Sequence, residues 1–422
     1  MRILFVAPAT SLHTVRWLNQ IVDQGWDLHL FPCEPYPLHP GFRSVTLHHP
    51  VFRRRPFDEH DIQKLDILNK PLRPSKNRWR SLWPEKRFDP SVGQRGLWWP
   101  FRKGPERLES GLERLFPSRL SRAARLARTM ELLKPDIIHS FVIISGGYLT
   151  LAAQSYLRGP LPPWVVSNWG CDLHLFGRLE EHRRKVHEVL AKCDYYMAEC
   201  HRDIDLAWNF GFKGTTLPVV PMAGVFDLQR ISAFRQAAPS SARRLIVLKG
   251  YQDWHGRALV ALRAIELAAD RLAGYRVAIF FASRSVRIAA ELMSQRTKIP
   301  VEIVPFSDHE DILRLHGQAR ISLGASISDG IPTSLIEAMA MGSFPIQSDT
   351  SCANEWVIHG KTGFIVPAED PQAVAEAIRL AVSDDKLVDA AAKLNWDLAL
   401  ERLDSAQIRR KVVGMYNEVA SG

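Results

Sequence analysis

The stretch ISLGASISDGIPTSLIEAMAMG, residues 321–342, predicts a buried strand that leads through a polar turn into a helix. Its first residues form a short apolar run, Asp329-Gly330 is a turn signal, Pro332 suits the start of a helix, and Gly342 suits its end. A strand that enters a helix through a tight turn is the repeating unit of parallel α/β sheets. The stretch therefore predicts an α/β fold.

The same alternation of strand and helix runs along most of the 422 residues. The predicted strands are residues 3–7, 28–31, 136–139, 164–167 and 195–198 in the first half, and 245–248, 276–281, 301–304, 321–323 and 344–346 in the second. Small and polar residues fill 233–243, which is typical of a linker. We therefore predict two doubly wound, Rossmann-like domains, 1–236 and 237–400, and a helix within 401–422 that packs back toward the first domain. A ligand is expected in the cleft between the domains, at the carboxyl ends of the strands.

Residues 51–110 interrupt this pattern as a basic insertion. They hold 15 Lys and Arg against 8 Asp and Glu, together with Trp79, Trp83, Trp98 and Trp99. Cations attract anionic lipid headgroups and Trp settles at membrane interfaces, so one interpretation is a segment that binds an anionic membrane surface. The other is a solvated insertion. No nucleic-acid-binding module is recognisable, so nucleic acid is not an expected partner.

The formal net charge of +10 favours phosphate-bearing or other anionic partners, although solubility alone would also account for it. No apolar run reaches the roughly 20 residues needed to span a membrane, and the first residues lack the pattern of a signal peptide. We therefore expect a cytoplasmic protein, peripheral on the cytoplasmic face of the membrane if the insertion contacts lipid.

The turn within residues 326–337 suits a diphosphate. Backbone N–H groups converge at the start of a helix, where the helix dipole also favours an anion. Asp329 enters the turn and Glu337 follows within the helix, so both carboxylates can face one ligand and accept hydrogen bonds from sugar hydroxyls. A structural alternative stays open, because Ser334 and Glu337 have the spacing of a capping box and Asp329 could merely initiate the turn.

The segment resembles the E-x7-E motif of retaining family-4 glycosyltransferases, with Asp329 in place of the first Glu. The likeness continues beyond Glu337. EAMAMG (337–342) resembles the family's EAMACG, SDTSCANEW (348–356) resembles SDVGGLPEIV, and GKTGFIVP (360–367) resembles DGVTGLLVP. The first half of the chain matches the family more loosely.

The resemblance implies the GT-B fold, with a nucleotide-diphosphate sugar bound mainly by the second domain. It implies that Glu337 binds the ribose hydroxyls, that Asp329 contacts the transferred sugar in a catalytic role, and that the anomeric configuration is retained with neither a metal nor a cofactor. The shorter Asp leaves the identity of the sugar open. The expected donor-binding residues are Lys249, Arg257, Asp329, Gly330, Ile331, Pro332, Thr333, Ser334, Leu335 and Glu337.

Cations are needed where charge develops on the leaving diphosphate. In the family, the loop after the second domain's first strand supplies an Arg and a Lys, but those positions are Tyr251 and Gly256 here. We expect Arg257 to take the phosphate-binding and catalytic role, with Lys249 as the weaker candidate. The alternative is that both are ordinary surface charges.

The candidate acceptor contacts in the first domain are His13, Trp169 and Asp172, and His139 is a further catalytic candidate. His139 ends a predicted strand, where α/β sheets place ligand contacts, yet a structural histidine fits the pattern equally well. Trp169 can stack on a sugar, whereas a core Trp would need a partner for its N–H group.

These features predict a retaining glycosyltransferase that moves a hexose-type sugar to a saccharide or lipid-linked acceptor in cell-surface polysaccharide or lipopolysaccharide synthesis. Two alternatives stay open: a non-catalytic nucleotide-sugar-binding or scaffold protein, and a nucleotide-sugar epimerase of the same fold. The missing Arg and Lys favour the first alternative, whereas an epimerase should lack the family-4 motif.

Overall fold

The structure is a computed structural model that describes residues 1–34, 39–52, 94–97, 121–222, 227–252, 254–305 and 308–422. Most of the basic insertion 51–110 lies outside the described residues, including its four Trp. The prediction that this segment contacts a membrane therefore stays a prediction. Within the described residues, no helix combines the length and the apolar character that crossing a membrane requires.

The chain forms two compact units. The first comprises Met1–Ala223 and Arg409–Gly422, and the second comprises Gly224–Ile408. The boundary predicted at 236/237 falls inside the second unit as the structure divides the chain.

The first unit contains a sheet of eight parallel strands within the described residues, in the order β4-β3-β2-β1-β5-β6-β7-β8. The strands are β1 (Arg2–Ala7), β2 (Asp27–Pro32), β3 (Thr46–Phe52), β4 (Gln94–Leu97), β5 (Ile137–Phe141), β6 (Trp164–Ser167), β7 (Tyr195–Met197) and β8 (Thr215–Thr216). Its helices before the second unit are α1 (Leu12–Asn19), α2 (Arg122–Leu133), α3 (Tyr148–Gln154), α4 (Cys171–His174), α5 (Glu180–Lys192) and α6 (His201–Asn209).

The second unit contains a sheet of six parallel strands within the described residues, in the order β11-β10-β9-β12-β13-β14. The strands are β9 (Leu245–Lys249), β10 (Arg276–Phe280), β11 (Val301–Ile303), β12 (Ile321–Gly324), β13 (Phe344–Ser348) and β14 (Phe364–Val366). The helices are α7 (Leu228–Ser232), α8 (Ala258–Leu267), α9 (Arg284–Thr297), α10 (His309–Gln318), α11 (Thr333–Met341), α12 (Pro371–Ser383) and α13 (Asp385–Arg402).

The order of strands in the second sheet fixes where a ligand can bind. The chain moves outward from β9 to β11 and then returns to place β12 on the other side of β9. The loops that leave β9 and β12 therefore diverge, and the crevice at such a reversal is the usual ligand site of an open α/β sheet. The strand of the stretch 321–342 is β12 and its helix is α11, so this stretch lies at the reversal.

The last helix, α14 (Ser405–Ser421), begins in the second unit, and its residues from Arg409 onward belong to the first. Tyr416 is fully buried there, and its hydroxyl accepts a hydrogen bond of 2.8 Å from Trp17 Nε1 on α1. Arg409 Nη2 donates to Asp23 at 2.9 Å. These contacts attach the end of the chain to the first unit.

Candidate functional site

Backbone pairing joins the two loops at the strand reversal of the second unit. Gly256 and Ser326 form an isolated antiparallel bridge. Arg257 N donates to Ala325 O at 2.9 Å, and Ile327 N donates to the carbonyl of the residue before Gly256 at 2.8 Å. A side chain at Gly256 would place its Cβ 2.2 Å from Tyr251 O, so the loop requires glycine there. The expected donor-binding loops are therefore held side by side.

The capping-box alternative is not realised at the start of α11. The helix begins at Thr333, and Pro332 precedes it without a side-chain hydrogen bond to the helix. Ser334 Oγ is buried and has no hydrogen-bond partner among the described residues. Neither Ser334 nor Glu337 therefore caps the helix.

Glu337 is held by histidines instead. Its side chain is 6% exposed, and His309 Nε2 lies 2.7 Å from its Oε1 atom. His316 Nε2 lies 3.9 Å from Oε2. A buried carboxylate needs such partners because burial without hydrogen bonds or opposite charge is costly. Both histidines lie on α10, two helical turns apart and on the same face.

His316 is the more deeply buried of the two. Burial lowers its pKa to about 4, although the nearby Glu337 carboxylate opposes the shift and His309 adds to it. Its Nδ1 atom lies 2.8 Å from Ser322 Oγ on β12. The His316 ring is therefore neutral near pH 7.

Asp329 lies beside Lys249, the weaker of the two candidates for the phosphate-binding cation. Its Oδ1 atom accepts from Gly330 N at 3.0 Å, and its Oδ2 atom lies 3.9 Å from Lys249 Nζ at the end of β9. Both side chains are about a quarter exposed, at 23% and 26% respectively. The structure thus brings together the altered carboxylate of the motif and the cation that the sequence ranked second.

Arg257 immediately precedes α8 and faces a different carboxylate. Its Nε atom donates to Glu369 Oε1 at 2.8 Å, and its Nη1 atom donates to the carbonyl of Gly256 at 2.9 Å. Glu369 follows β14 and is 65% exposed, whereas Arg257 is 21% exposed. An exposed carboxylate is an exchangeable partner, because exposed ion pairs contribute little to stability.

In the first unit, His139 on β5 has a structural environment. It is completely buried, with Nδ1 2.6 Å from the Tyr416 hydroxyl and Nε2 2.5 Å from Ser167 Oγ. The rings of Phe5, Trp17 and Phe141 surround it. Burial lowers its pKa to about 3, which keeps the ring neutral. Because both nitrogens are engaged and no atom is exposed, we do not retain His139 as a catalytic residue.

His13 and Trp169 form an edge-to-face pair near the carboxyl ends of β1 and β6. Their ring centroids are 5.3 Å apart, and both side chains are partly exposed. Trp169 Nε1 is a buried atom without a hydrogen-bond partner among the described residues. A core Trp would normally have that partner, so the arrangement favours the ligand-binding interpretation of Trp169.

Asp172 is 2% exposed and binds backbone, not solvent. Its Oδ2 atom accepts from Trp169 N at 3.1 Å, and the backbone of Ile143 and Ile144 also bonds to the carboxyl group. Burial raises its pKa to about 6, and those backbone bonds oppose the shift. Asp172 therefore orders the loop that presents Trp169, and a direct contact with an acceptor would require the carboxyl group to leave these bonds.

The histidines of α10 are the residues that the sequence analysis missed. The one signal in the sequence is that His309 and His316 are seven residues apart and come shortly before β12. Their partner Glu337 lies on another helix, so the pairing appears only once α10 and α11 are packed together.

Each unit contains a segment that matches a glycosyltransferase family model. Residues 107–200 match the family described as glycosyl transferase 4-like, and residues 289–394 match glycosyl transferases group 1. Among curated proteins, the amylovoran biosynthesis glycosyltransferase AmsK of Erwinia amylovora is 37% identical over 89 residues, which are 20% of this chain and 22% of that relative.

Solved structures share the fold over the whole chain. HepE of Anabaena, in complex with UDP-glucose, has a TM-score of 0.65 at 14% identity, covering 99% of this chain and 100% of that one. The sucrose-phosphate synthase of Thermosynechococcus elongatus has a TM-score of 0.65 at 14% identity, covering 100% and 99%. At this identity the likeness establishes the fold alone. The resemblance drawn from the sequence is thus confirmed in two respects: each unit contains a segment similar to a glycosyltransferase family, and the chain has the GT-B fold.

Proposed function

We propose that this chain is a retaining glycosyltransferase that moves a hexose-type sugar from a nucleotide-diphosphate sugar to a saccharide or lipid-linked acceptor, in cell-surface polysaccharide or lipopolysaccharide synthesis. The names of the similar proteins support a role in polysaccharide synthesis with a nucleotide-sugar donor, since AmsK is named for amylovoran biosynthesis and HepE is described in complex with UDP-glucose. A lipid-linked acceptor would place the protein at the cytoplasmic face of a membrane.

The observation that carries the proposal is the state of Glu337. A carboxylate 6% exposed, at the strand reversal and near the start of α11, is not used to cap the helix and is held by His309. Structural stability alone gives no reason to bury a charge there, because a buried ion pair is often no better than apolar residues of the same size. A ligand with hydroxyl groups supplies the reason.

In the proposed donor complex, Glu337 accepts hydrogen bonds from the ribose hydroxyls, and the turn at residues 329–335 receives the diphosphate. Asp329 accepts from hydroxyls of the transferred sugar. On transfer, the bond from the sugar C1 to the diphosphate oxygen breaks, a bond from C1 to the acceptor oxygen forms on the same face, and the proton of the acceptor hydroxyl passes to the departing diphosphate oxygen. Negative charge grows on the leaving diphosphate, where fixed cations are most effective.

Lys249 and Arg257 are the cations within reach of that role. In the structure they face Asp329 and Glu369 respectively, so donor binding would exchange these carboxylates for phosphate oxygens. We propose that the reaction then requires neither a metal ion nor a cofactor. His13 and Trp169 are the proposed acceptor contacts, and Asp172 positions the loop that carries Trp169.

The same ion pairs are the observation that favours the second candidate, a non-catalytic nucleotide-sugar-binding protein. If Asp329 and Glu369 keep their cations when donor is bound, the leaving group has no counter-charge and turnover should be absent. A same-fold epimerase is the third candidate, and it would convert the sugar without transferring it.

Incubation of the full chain with a panel of UDP-, GDP- and ADP-sugars, with lipid and saccharide acceptors, separates these candidates. The proposal predicts acceptor-dependent release of nucleoside diphosphate for one donor, and a product whose anomeric configuration by NMR matches that of the donor. Donor binding without release would establish the binding protein, and release of an epimerised nucleotide sugar would establish the epimerase. An inverted product would contradict retention.

A further inference from the structure

Phe281 has an unusual backbone and an unusual exposure. It follows β10 directly, its φ is 52°, and its side chain is 51% exposed. A positive φ is rare outside glycine, and for a bulky residue it is an outlier that costs energy. An exposed aromatic ring also lacks the stabilisation that burial of its apolar surface would give. The position therefore combines a strained backbone with an unburied ring.

The residues on either side hold this conformation in place. Gly250 N donates to Phe280 O at 2.8 Å, and Ser283 N donates to Gly250 O at 3.2 Å. A Cβ at Gly250 would lie 2.6 Å from the Cα of Ala282, so the two loops touch backbone to backbone. The strain at Phe281 thus persists because the loop after β9 fixes the chain around it.

The sheet places Phe281 between two parts of the proposed donor site. β10 lies between β9 and β11, with Phe280 in register with Lys249. The chain leaves β11 toward His309 at the start of α10. Phe281 therefore lies where the carboxyl ends of the strands meet. On one side is the loop after β9, which leads from Lys249 to Arg257, and on the other is the loop after β11, which leads to His309.

Ring contacts connect the same residues. The Phe281 and Phe280 rings are 5.4 Å apart between centroids, and Phe280 and His316 are 5.7 Å apart. His316 in turn lies 3.9 Å from Glu337. In a nucleoside diphosphate the base projects from the ribose on the side away from the diphosphate. With the ribose on Glu337 and the diphosphate at β9 and β12, the base would lie on the far side of the ribose, toward the end of β10.

We propose that the Phe281 ring stacks on the nucleobase of the donor. This inference rests on the proposed function, because it requires the nucleoside at the strand reversal. Stacking uses the π-face that every base has, so Phe281 should add affinity for any nucleoside diphosphate that the site accepts.

The test is calorimetric titration of the full chain with UDP, GDP and ADP, and competition by inorganic pyrophosphate, which lacks a base. Phe281→Ala should weaken the tightest nucleoside diphosphate by roughly tenfold and leave pyrophosphate unchanged. Phe281→Tyr, which keeps an aromatic ring, should bind within about twofold of the unsubstituted protein. Ile288→Ala on α9, where the side chain is 53% exposed, is the matched control and should bind as the unsubstituted protein does.

Phe281→Gly adds a readout that a structural role would not give. Glycine tolerates the positive φ, so this variant should melt at the same or a higher temperature while binding nucleoside diphosphate as weakly as Phe281→Ala. Unchanged nucleotide affinity in Phe281→Ala, or an equal loss for pyrophosphate, would overturn the inference and leave the proposed function standing. Failure of the unsubstituted protein to bind any of the three nucleotides would overturn both.

Discussion

Ser334 and Glu337 have the spacing of a capping box, but the Ser334 hydroxyl has no hydrogen-bond partner in the part of the chain that the structure describes, and His309 contacts the Glu337 carboxylate. Glu337→Gln should therefore weaken donor binding by roughly tenfold or more, because hydrogen bonds to a charged group are the strong ones. The melting temperature should change little, and calorimetric titration with thermal unfolding measures both.

Ser334→Ala is the control for this substitution. It removes a hydroxyl that has no hydrogen-bond partner among the described residues, so the thermal stability should stay the same. A large loss of thermal stability in either variant, with donor affinity intact, would restore the capping role.

Arg257 and Lys249 differ in the carboxylate each must leave before it can bind phosphate. Arg257→Ala should lower turnover more than it raises the KM for the donor, because the negative charge that Arg257 stabilises on the diphosphate develops in the transition state. Steady-state kinetics of nucleoside diphosphate release gives both constants. Glu369→Gln, which frees Arg257 from its partner, should leave turnover intact. Unchanged turnover in Arg257→Ala would transfer the role to Lys249.

His139 should make the first unit sensitive to acid. Its pKa is about 3 in the folded protein against 6.5 for the free side chain, so between these values the unfolded chain binds a proton that the folded chain does not. The contribution of His139 to the free energy of unfolding is therefore present above pH 6.5 and falls as the pH decreases, by about 2 kcal/mol between pH 7 and pH 5.

The measurement is urea denaturation at both pH values. His139→Gln should be less stable than the unsubstituted protein at pH 7. Its free energy of unfolding should fall by about 2 kcal/mol less between pH 7 and pH 5. An equal pH dependence in the two proteins would show that His139 is not the group responsible. His316, whose pKa is lowered to about 4, contributes with the same sign in the second unit and is unchanged in this comparison.

At the scale of elements, the strands were the easiest part to predict. Runs such as 164–167 are short, apolar and buried on both faces of a parallel sheet, and the structure confirms that run as β6. The strand β14 (Phe364–Val366) was not predicted, because three residues between glycine and proline carry too little pattern. The sequence predicts one helix over residues 14–24 that ends at Gly25. In the structure α1 ends at Asn19, and a separate short turn follows at Val22–Gln24.

The helix α14 makes a prediction of its own. Tyr416→Phe removes the hydroxyl that serves both Trp17 Nε1 and His139 Nδ1, leaving two buried polar atoms without that partner. The expected cost is about 1–3 kcal/mol for each atom, measured by urea denaturation. Glu418→Ala, an exposed position on the same helix, should be close to neutral. A neutral Tyr416→Phe would show that α14 is not anchored by this hydroxyl.

At the scale of the whole molecule, the α/β fold with two domains could be predicted from the sequence, and the proposed donor-binding residues came from the resemblance to a family. What the sequence could not supply were pairings between distant residues. Tyr416 is 277 positions from His139, and without it the ring on β5 was as good a catalytic candidate as a structural one. His309 is 28 positions from Glu337, and only their contact in the structure identifies His309 as part of the candidate site.

The central claim is that the segment 326–337 binds the donor, with Glu337 on the ribose. A crystal structure of the full chain with a nucleoside diphosphate tests it most directly. The account predicts ribose hydroxyls within hydrogen-bond distance of Glu337, and the diphosphate at the start of α11 with Lys249 or Arg257 turned toward it. A nucleotide bound elsewhere, with no contact to Glu337, would contradict the account.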